Sequence, residues 1–194
     1  MVTLNYTATY SSTLYYPNGD IYVGQVHTSA TNIIVPHGYG SMTKVNGETY
    51  TGSFYEGLRH GQGQSYNAAS QRHYLGTYNC DQEEGYATIT RPAANGGQRQ
   101  FTGYMVRNQR HGSGRQWETT ANGQSACFEG IWTYDQLSGP GKFTIQGVGY
   151  GHLCEGTFVN GQLEGLGTMT DTVTGTRYSV RFQGGTAVQF YNVL

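Results

Sequence analysis

Along most of the chain apolar and polar residues alternate at a period of two rather than 3.6. Tyr50-Thr-Gly52-Ser-Phe54, Tyr74-Leu-Gly76-Thr-Tyr78 and Phe101-Thr-Gly103-Tyr-Met105 place large apolar residues and a glycine at positions i, i+2 and i+4. Those positions share one face of a strand. A short polar turn and then a second phrase, (His or Glu)-Gly-x-Gly, follow: His60-Gly61-Gln62-Gly63 and His111-Gly112-Ser113-Gly114 are examples. Each pair of phrases predicts a β-hairpin.

The pattern is an internal repeat. Further copies are Phe128-Glu-Gly130-Ile-Trp132 with Ser138-Gly139-Pro140-Gly141, and Cys154-Glu-Gly156-Thr-Phe158 with Glu164-Gly165-Leu166-Gly167. The copy at Tyr74 closes on Glu84-Gly85-Tyr86-Ala87. Gly52 to Gly63, Gly76 to Ala87, Gly103 to Gly114, Gly130 to Gly141 and Gly156 to Gly167 are each 11 positions apart. A looser copy, Tyr22-Val-Gly24-Gln-Val26 with His37-Gly38-Tyr39-Gly40, spans 16 positions and predicts a five-residue insertion in its turn. Tyr6-Thr-Ala8-Thr-Tyr10 and Tyr178-Ser-Val180-Arg-Phe182 are fainter, as terminal capping repeats are. Asn-Gly pairs at 18, 46, 95 and 122 fall between copies, and Asn160-Gly161 lies inside one. All are expected to form type I′ turns. The fold expected is all-β: an elongated, single-layer, twisted antiparallel sheet of tandem β-hairpin repeats. Residues 1–20 read as an N-terminal partial or capping repeat, 21–185 as an array of about six to seven repeats, and 186–194 as a C-terminal capping or dimerisation strand.

Composition narrows the function. Glycine supplies 30 of 194 residues, charged residues are 12%, and the formal net charge is −1. That balance lacks the basic footprint of a nucleic-acid binder. No apolar run reaches the ~18 residues of a membrane helix, and no secretory leader is evident. Cys80, Cys127 and Cys154 contain no C-x-x-C pair, which supports neither a zinc knuckle nor a disulfide framework and fits a reducing, cytoplasmic setting. The sequon at Asn5 is read as chance.

Tyr50-x-Gly52-x-Phe54, continued by Gly57-x-x-His60-Gly61-x-Gly63, resembles the MORN repeat (membrane occupation and recognition nexus). The likeness extends over about residues 20–185. It implies an array of hairpins used as an adaptor that docks partner peptides in an aromatic-lined groove, organises cytoskeletal structures or pairs into homodimers. Lipid binding, the family's original proposal, belongs mainly to arrays richer in basic residues. The insertion in the first copy, and Ala87, Cys154 and Val180 where glycine or an aromatic is usual, depart from the pattern.

The candidate chemistry points the same way. His37, His60 and His111 occupy one repeat position, but other copies place Glu84, Ser138 and Glu164 there. A position so tolerant is structural, so neither metal nor acid–base use is expected of it. Gly147-Val-Gly149-Tyr-Gly151 has no following Gly-Lys-Ser/Thr and therefore makes no phosphate loop. No nucleophile–base set assembles, so a non-enzymatic protein without cofactors is expected. The aromatic ladder Tyr50, Phe54, Tyr74, Tyr78, Phe101, Met105, Phe128, Trp132 and Phe158, extended by Tyr22 and Tyr178, is the candidate partner-binding groove. A one-layer sheet is expected to leave one side of such a ladder open.

Five arginines cluster at Arg91, Arg99, Arg107, Arg110 and Arg115. They read as solvated turn charges, with an anionic-lipid headgroup site at Arg99, Arg107, Arg110 and Arg115 as the weaker, salt-sensitive alternative. The uncharged tail from Thr186 reads as a capping strand, or as an edge for a homodimer. The function expected is a scaffold for protein partners in a cytoskeletal or membrane-apposed assembly. The alternative is a peripheral phosphoinositide-binding module.

Overall fold

The computed structural model describes residues 8–94 and 96–194. The Asn5 sequon, the front of the Tyr6–Tyr10 phrase and Asn95 lie outside the described residues. Fifteen strands, and no helix, occur among the described residues. They are β1 (Tyr10–Tyr15), β2 (Ile21–Thr28), β3 (Ile34–Thr43), β4 (Thr49–Tyr55), β5 (Leu58–Asn67), β6 (Arg72–Asn79), β7 (Gln82–Pro92) and β8 (Gln98–Val106). There follow β9 (Gln109–Thr119), β10 (Ser125–Thr133), β11 (Gln136–Gly147), β12 (Tyr150–Val159), β13 (Gln162–Asp171), β14 (Arg177–Gln183) and β15 (Thr186–Val193). Strand order in the sheet is chain order. The all-β, tandem-hairpin reading of the sequence is therefore the fold. The chain divides into two compact units, residues 1–85 and 86–194, with the division inside β7.

The 11-residue spacing is a register. In the first unit Gly24 pairs with Gly40, Gly40 with Gly52, Gly52 with Gly63, and Gly63 with Gly76. In the second, Gly103 pairs with Gly114, Gly114 with Gly130, Gly130 with Gly141, and Gly141 with Gly156. Each unit thus carries a row of glycines running across its strands. The second row stops at Gly156, which falls in a register shift between the Glu155–Thr168 and Thr157–Glu164 pairs, and Gly167 pairs with Val180.

The two glycines of the Gly-x-Gly phrase have different tasks. Gly112 adopts φ +79°, a left-handed conformation that glycine tolerates best, at a bulge where β9 spends three residues against one of β8 between the Gly103–Gly114 and Met105–Arg110 pairs. Gly114 belongs to the row instead, and a Cβ there would lie 2.6 Å from Cε2 of Phe101. It is glycine because a ring occupies the space of its side chain.

Turn chemistry differs from the sequence expectation. The two-residue turns inside hairpins are the ones with two positive φ values: Glu56-Gly57 (49°, 85°), Cys80-Asp81 (47°, 66°), Arg107-Asn108 (49°, 67°), Tyr134-Asp135 (48°, 68°), Asn160-Gly161 (51°, 80°) and Gly184-Gly185 (56°, 79°). Between hairpins, Asn18-Gly19, Asn46-Gly47 and Asn122-Gly123 place only the glycine at positive φ. Gly19, Gly47 and Gly123 donate N–H to the carbonyls of Tyr16, Lys44 and Thr120 at 2.9, 2.9 and 3.1 Å. That is a type I turn closed by a left-handed residue, the usual three-residue loop, which needs one glycine rather than two.

The insertion in the first copy is also distributed otherwise than expected. It adds one further rung, Thr28 opposite Ile34, and lengthens the loop to Ser29–Ile33. His27, opposite Val35, thereby comes to lie inside the ladder.

Candidate partner-binding site

The aromatic residues singled out in the sequence share the face of the glycine rows. Tyr50, Phe54, Tyr74, Tyr78, Phe101, Met105, Trp132 and Phe158 are all buried, at 1–5% exposure, and Phe128 is half-buried. The expectation that one side of the ladder stays open is corrected by this burial. Three contacts cover the rings in place of a second layer. Below Tyr22, Tyr50, Phe101 and Phe158 lies glycine backbone, at Gly40, Gly63, Gly114 and Gly141. Neighbouring rings lie at the sides, and above some rings lies an arginine.

In the first unit the side contacts form a continuous zigzag of edge-to-face pairs. Tyr22–Phe54, Phe54–Tyr50, Tyr50–Tyr78 and Tyr78–Tyr74 have centroid separations of 5.0, 5.0, 5.1 and 4.9 Å. Phe101 and Trp132 repeat the arrangement in the second unit at 5.4 Å. The second aromatic of a copy therefore rests against the first aromatic of the copy before it, a geometry that suits ring quadrupoles.

Polar ring atoms are satisfied locally. The Tyr22, Tyr50 and Tyr74 hydroxyls donate to the carbonyls of Gln25, Ser53 and Thr77 at 2.5, 2.8 and 2.7 Å. Trp132 Nε1 donates to the Gly114 carbonyl at 3.1 Å. Burial pushes the Tyr22 phenol up to about 12, and it raises Tyr50 and Tyr74 in the same direction.

The arginine above the rings is a feature the sequence reading did not use. Arg59 and Arg110 each directly precede the shared histidine. The Arg59 guanidinium carbon lies 4.9 Å from the centroid of Tyr78, and that of Arg110 4.2 Å from Trp132. Nε of each donates to the carboxylate of an aspartate in the next hairpin turn, Asp81 or Asp135, at 2.8 Å. The same aspartate accepts the arginine backbone N–H at 3.0 and 3.1 Å. Backbone bonds run back the other way, from Asp81 N–H to the Arg59 carbonyl and from Asp135 N–H to the Arg110 carbonyl. Later copies put Leu137 and Leu163 at this position, both buried, so apolar packing replaces the clamp there.

Beside each clamp is a small cleft. In the first unit it has about 230 Å³ and is lined by Met42, Tyr50, Phe54, Lys44, Glu48, Arg59 and Asp81, among others. In the second it has about 320 Å³ and is lined by Phe128, Trp132, Leu137, Arg99, Arg110, Glu118 and Asp135, among others. Both have ring floors and rims of mixed charge. Tyr74, Tyr78, Phe101, Met105 and Phe158 line neither cleft. The opposite face of the second unit exposes Tyr86 and Tyr104, at 58% and 51%, in edge-to-face contact at 5.4 Å.

Three of the four arginines considered for lipid have partners. Arg99 forms a bidentate bridge with Glu118. Arg110 is held by Asp135, and Arg115 stacks on Trp117 at 4.3 Å with Glu129 at 3.8 Å. Arg107 is an exposed turn residue. The tail strand β15 pairs with β14 and keeps Val188, Phe190 and Val193 more than half exposed. Cys154, which stands where an aromatic is usual, is buried with its thiol pushed up by that burial, the state of an inert cysteine.

No helix among the described residues is long and apolar enough to cross a membrane. The family model described as "MORN repeat" matches residues 35–49, 50–66, 101–119, 128–146 and 154–172. It passes over the copy at Tyr74–Ala87, which closes on alanine. The chain is also similar to MORN repeat-containing protein 3 of Xenopus laevis, 32% identical over 76 residues. That stretch is 38% of this chain and 32% of the relative, so the match spans about a third of the relative's length. Such repeats are consistent with a membrane- or protein-interaction module. By the family model, then, the chain carries five MORN repeats, four of them starting on the first-strand residue two positions before a glycine of the rows.

Proposed function

We propose that the chain is a non-enzymatic scaffold that binds a protein partner, as a peptide or helix, on the face carrying the rings. The observation that supports this reading is the recurrence, once in each compact unit, of a ring-floored cleft beside an Arg–Asp clamp. At about 230 and 320 Å³ the clefts lie at or below the lower end of small-molecule pockets, roughly 300–1,000 Å³, and each suits a single apolar side chain. Their rims carry both signs of charge, which favours a partner with charged residues beside its apolar anchors. The buried rings act as the rigid floor, so the partner touches ring edges and the half-buried Met42 and Phe128 rather than the whole ladder. A cytoplasmic, cytoskeletal or membrane-apposed assembly is the setting proposed.

The test compares partner capture from native-cell extract by the wild type and three variants. Met42→Glu and Phe128→Glu each place a charge in one cleft, and Tyr104→Ala alters the opposite face. Loss of partner with the first two and retention with the third is expected. Retention by both folded cleft variants ends the reading. Flotation with phosphoinositide vesicles addresses the alternative, because a headgroup site predicts salt-sensitive co-flotation. The internal pairing of Arg99, Arg110 and Arg115 weighs against it. Light scattering of the chain with and without residues 186–194 tests pairing of two copies through β15.

A further inference from the structure

We propose that His27, His37 and Glu56 form a binding site for a borderline divalent cation, zinc foremost. His27 Nε2 lies 2.7 Å from Glu56 Oε1, and His37 Nδ1 lies 3.5 Å from the same oxygen. One ligand atom from each of the three falls within 4.8 Å of the others. Two imidazole nitrogens and a carboxylate oxygen around one point are the donor set of a His₂Glu zinc site. The imidazole centroids are 4.1 Å apart. Two imidazoles this close each offer a ring nitrogen that one metal ion can share.

The site follows from the repeat and from the one place where the repeat is broken. The histidine before Gly-x-Gly faces the first turn residue of the next hairpin in three copies. His60 Nδ1 lies 3.9 Å from Cys80 Sγ, and the His111 ring lies 5.4 Å from that of Tyr134. His37 meets Glu56 in the same way, and the Gly57 N–H bond to the Pro36 carbonyl, at 2.8 Å, holds that turn in place. Only this first copy adds a third donor. Where the other copies end their first strand on Tyr55, Asn79, Val106, Thr133 or Val159, this one has His27, on the lengthened strand β2. Its side chain is 11% exposed, so the third ligand is held inside the fold while Glu56, at 39%, leaves an entry path.

The full chain, stripped of metal by a chelator, is titrated with zinc chloride in competition with a chromogenic chelator. One bound equivalent per chain is expected. Glu56→Gln and His37→Gln are expected to weaken binding by at least about tenfold, the lower range for disturbing a metal's ligand environment. His60→Gln, which removes the matching histidine of the next copy, leaves binding unchanged. Cobalt(II) in place of zinc gives the visible absorption of a low-symmetry site in the wild type, and Glu56→Gln lowers it. A wild-type chain that does not compete for zinc, or a His60→Gln variant weakened as much as Glu56→Gln, overturns the proposal. In that outcome the three side chains are a hydrogen-bonded cluster.

Discussion

Arg110 lies over Trp132 with its guanidinium carbon 4.2 Å from the ring centroid, while its Nε donates to Asp135 at 2.8 Å. The aspartate fixes the plane of the guanidinium, and the ring receives its face. Arg110→Ala removes both contacts, and a loss of about 1–2 kcal/mol is expected from the cation–π term and the charged hydrogen bond together. Arg110→Lys restores less than half of it, because an ammonium neither stacks nor forks. Urea midpoints at constant m-value measure both.

Gly114 tests the seat of a ring. Gly114→Ala brings a Cβ within 2.6 Å of Phe101 Cε2 and 3.0 Å of Trp132 Cδ1. Overpacking of this kind costs about 1–3 kcal/mol. Ser113→Ala, one residue away and exposed, is expected to stay within about 0.5 kcal/mol of wild type. Equal midpoints for the two variants would contradict the ring-on-backbone account.

Alkaline stability follows from the buried phenols. Tyr22 titrates at about 12 when folded, against an ordinary value near 10 once unfolded, and Tyr50 and Tyr74 are shifted upward too. Between those values the unfolded chain has lost protons that the folded one keeps. Stability is therefore complete below about pH 10 and falls as pH rises toward 12. Tyrosinate absorbance of these residues should rise together with the loss of the strand circular-dichroism signal. Their titration in a chain that stays folded would contradict this.

The Arg107-Asn108 turn has both residues at positive φ, 49° and 67°. Asn108→Gly supplies the residue that the second position of a type I′ turn favours. A gain of roughly 0.4–1 kcal/mol is expected if relief of strain outweighs the freer unfolded chain. Thermal unfolding measures it.

The hairpins were legible because the 11-residue spacing is the register itself: Gly52 and Gly63 face each other across a fixed two-residue turn. Turn types were less legible. Cys80-Asp81 and Tyr134-Asp135 carry no glycine, and the register of the surrounding strands holds them left-handed all the same. Burial of the ladder was missed because Arg110 was read as a turn charge and Arg59 was not used. Their place directly before the shared histidine, with an aspartate in the next turn, was the available signal. The likeness among His37, His60 and His111 led away from His27, whose place the other copies fill with Tyr55, Asn79, Val106, Thr133 or Val159.

A ring whose seat is the glycine of the adjacent strand needs only its nearest neighbours to be complete. The chain can therefore settle progressively as it leaves the ribosome, each new strand closing the previous seat before the carboxyl end has been synthesised.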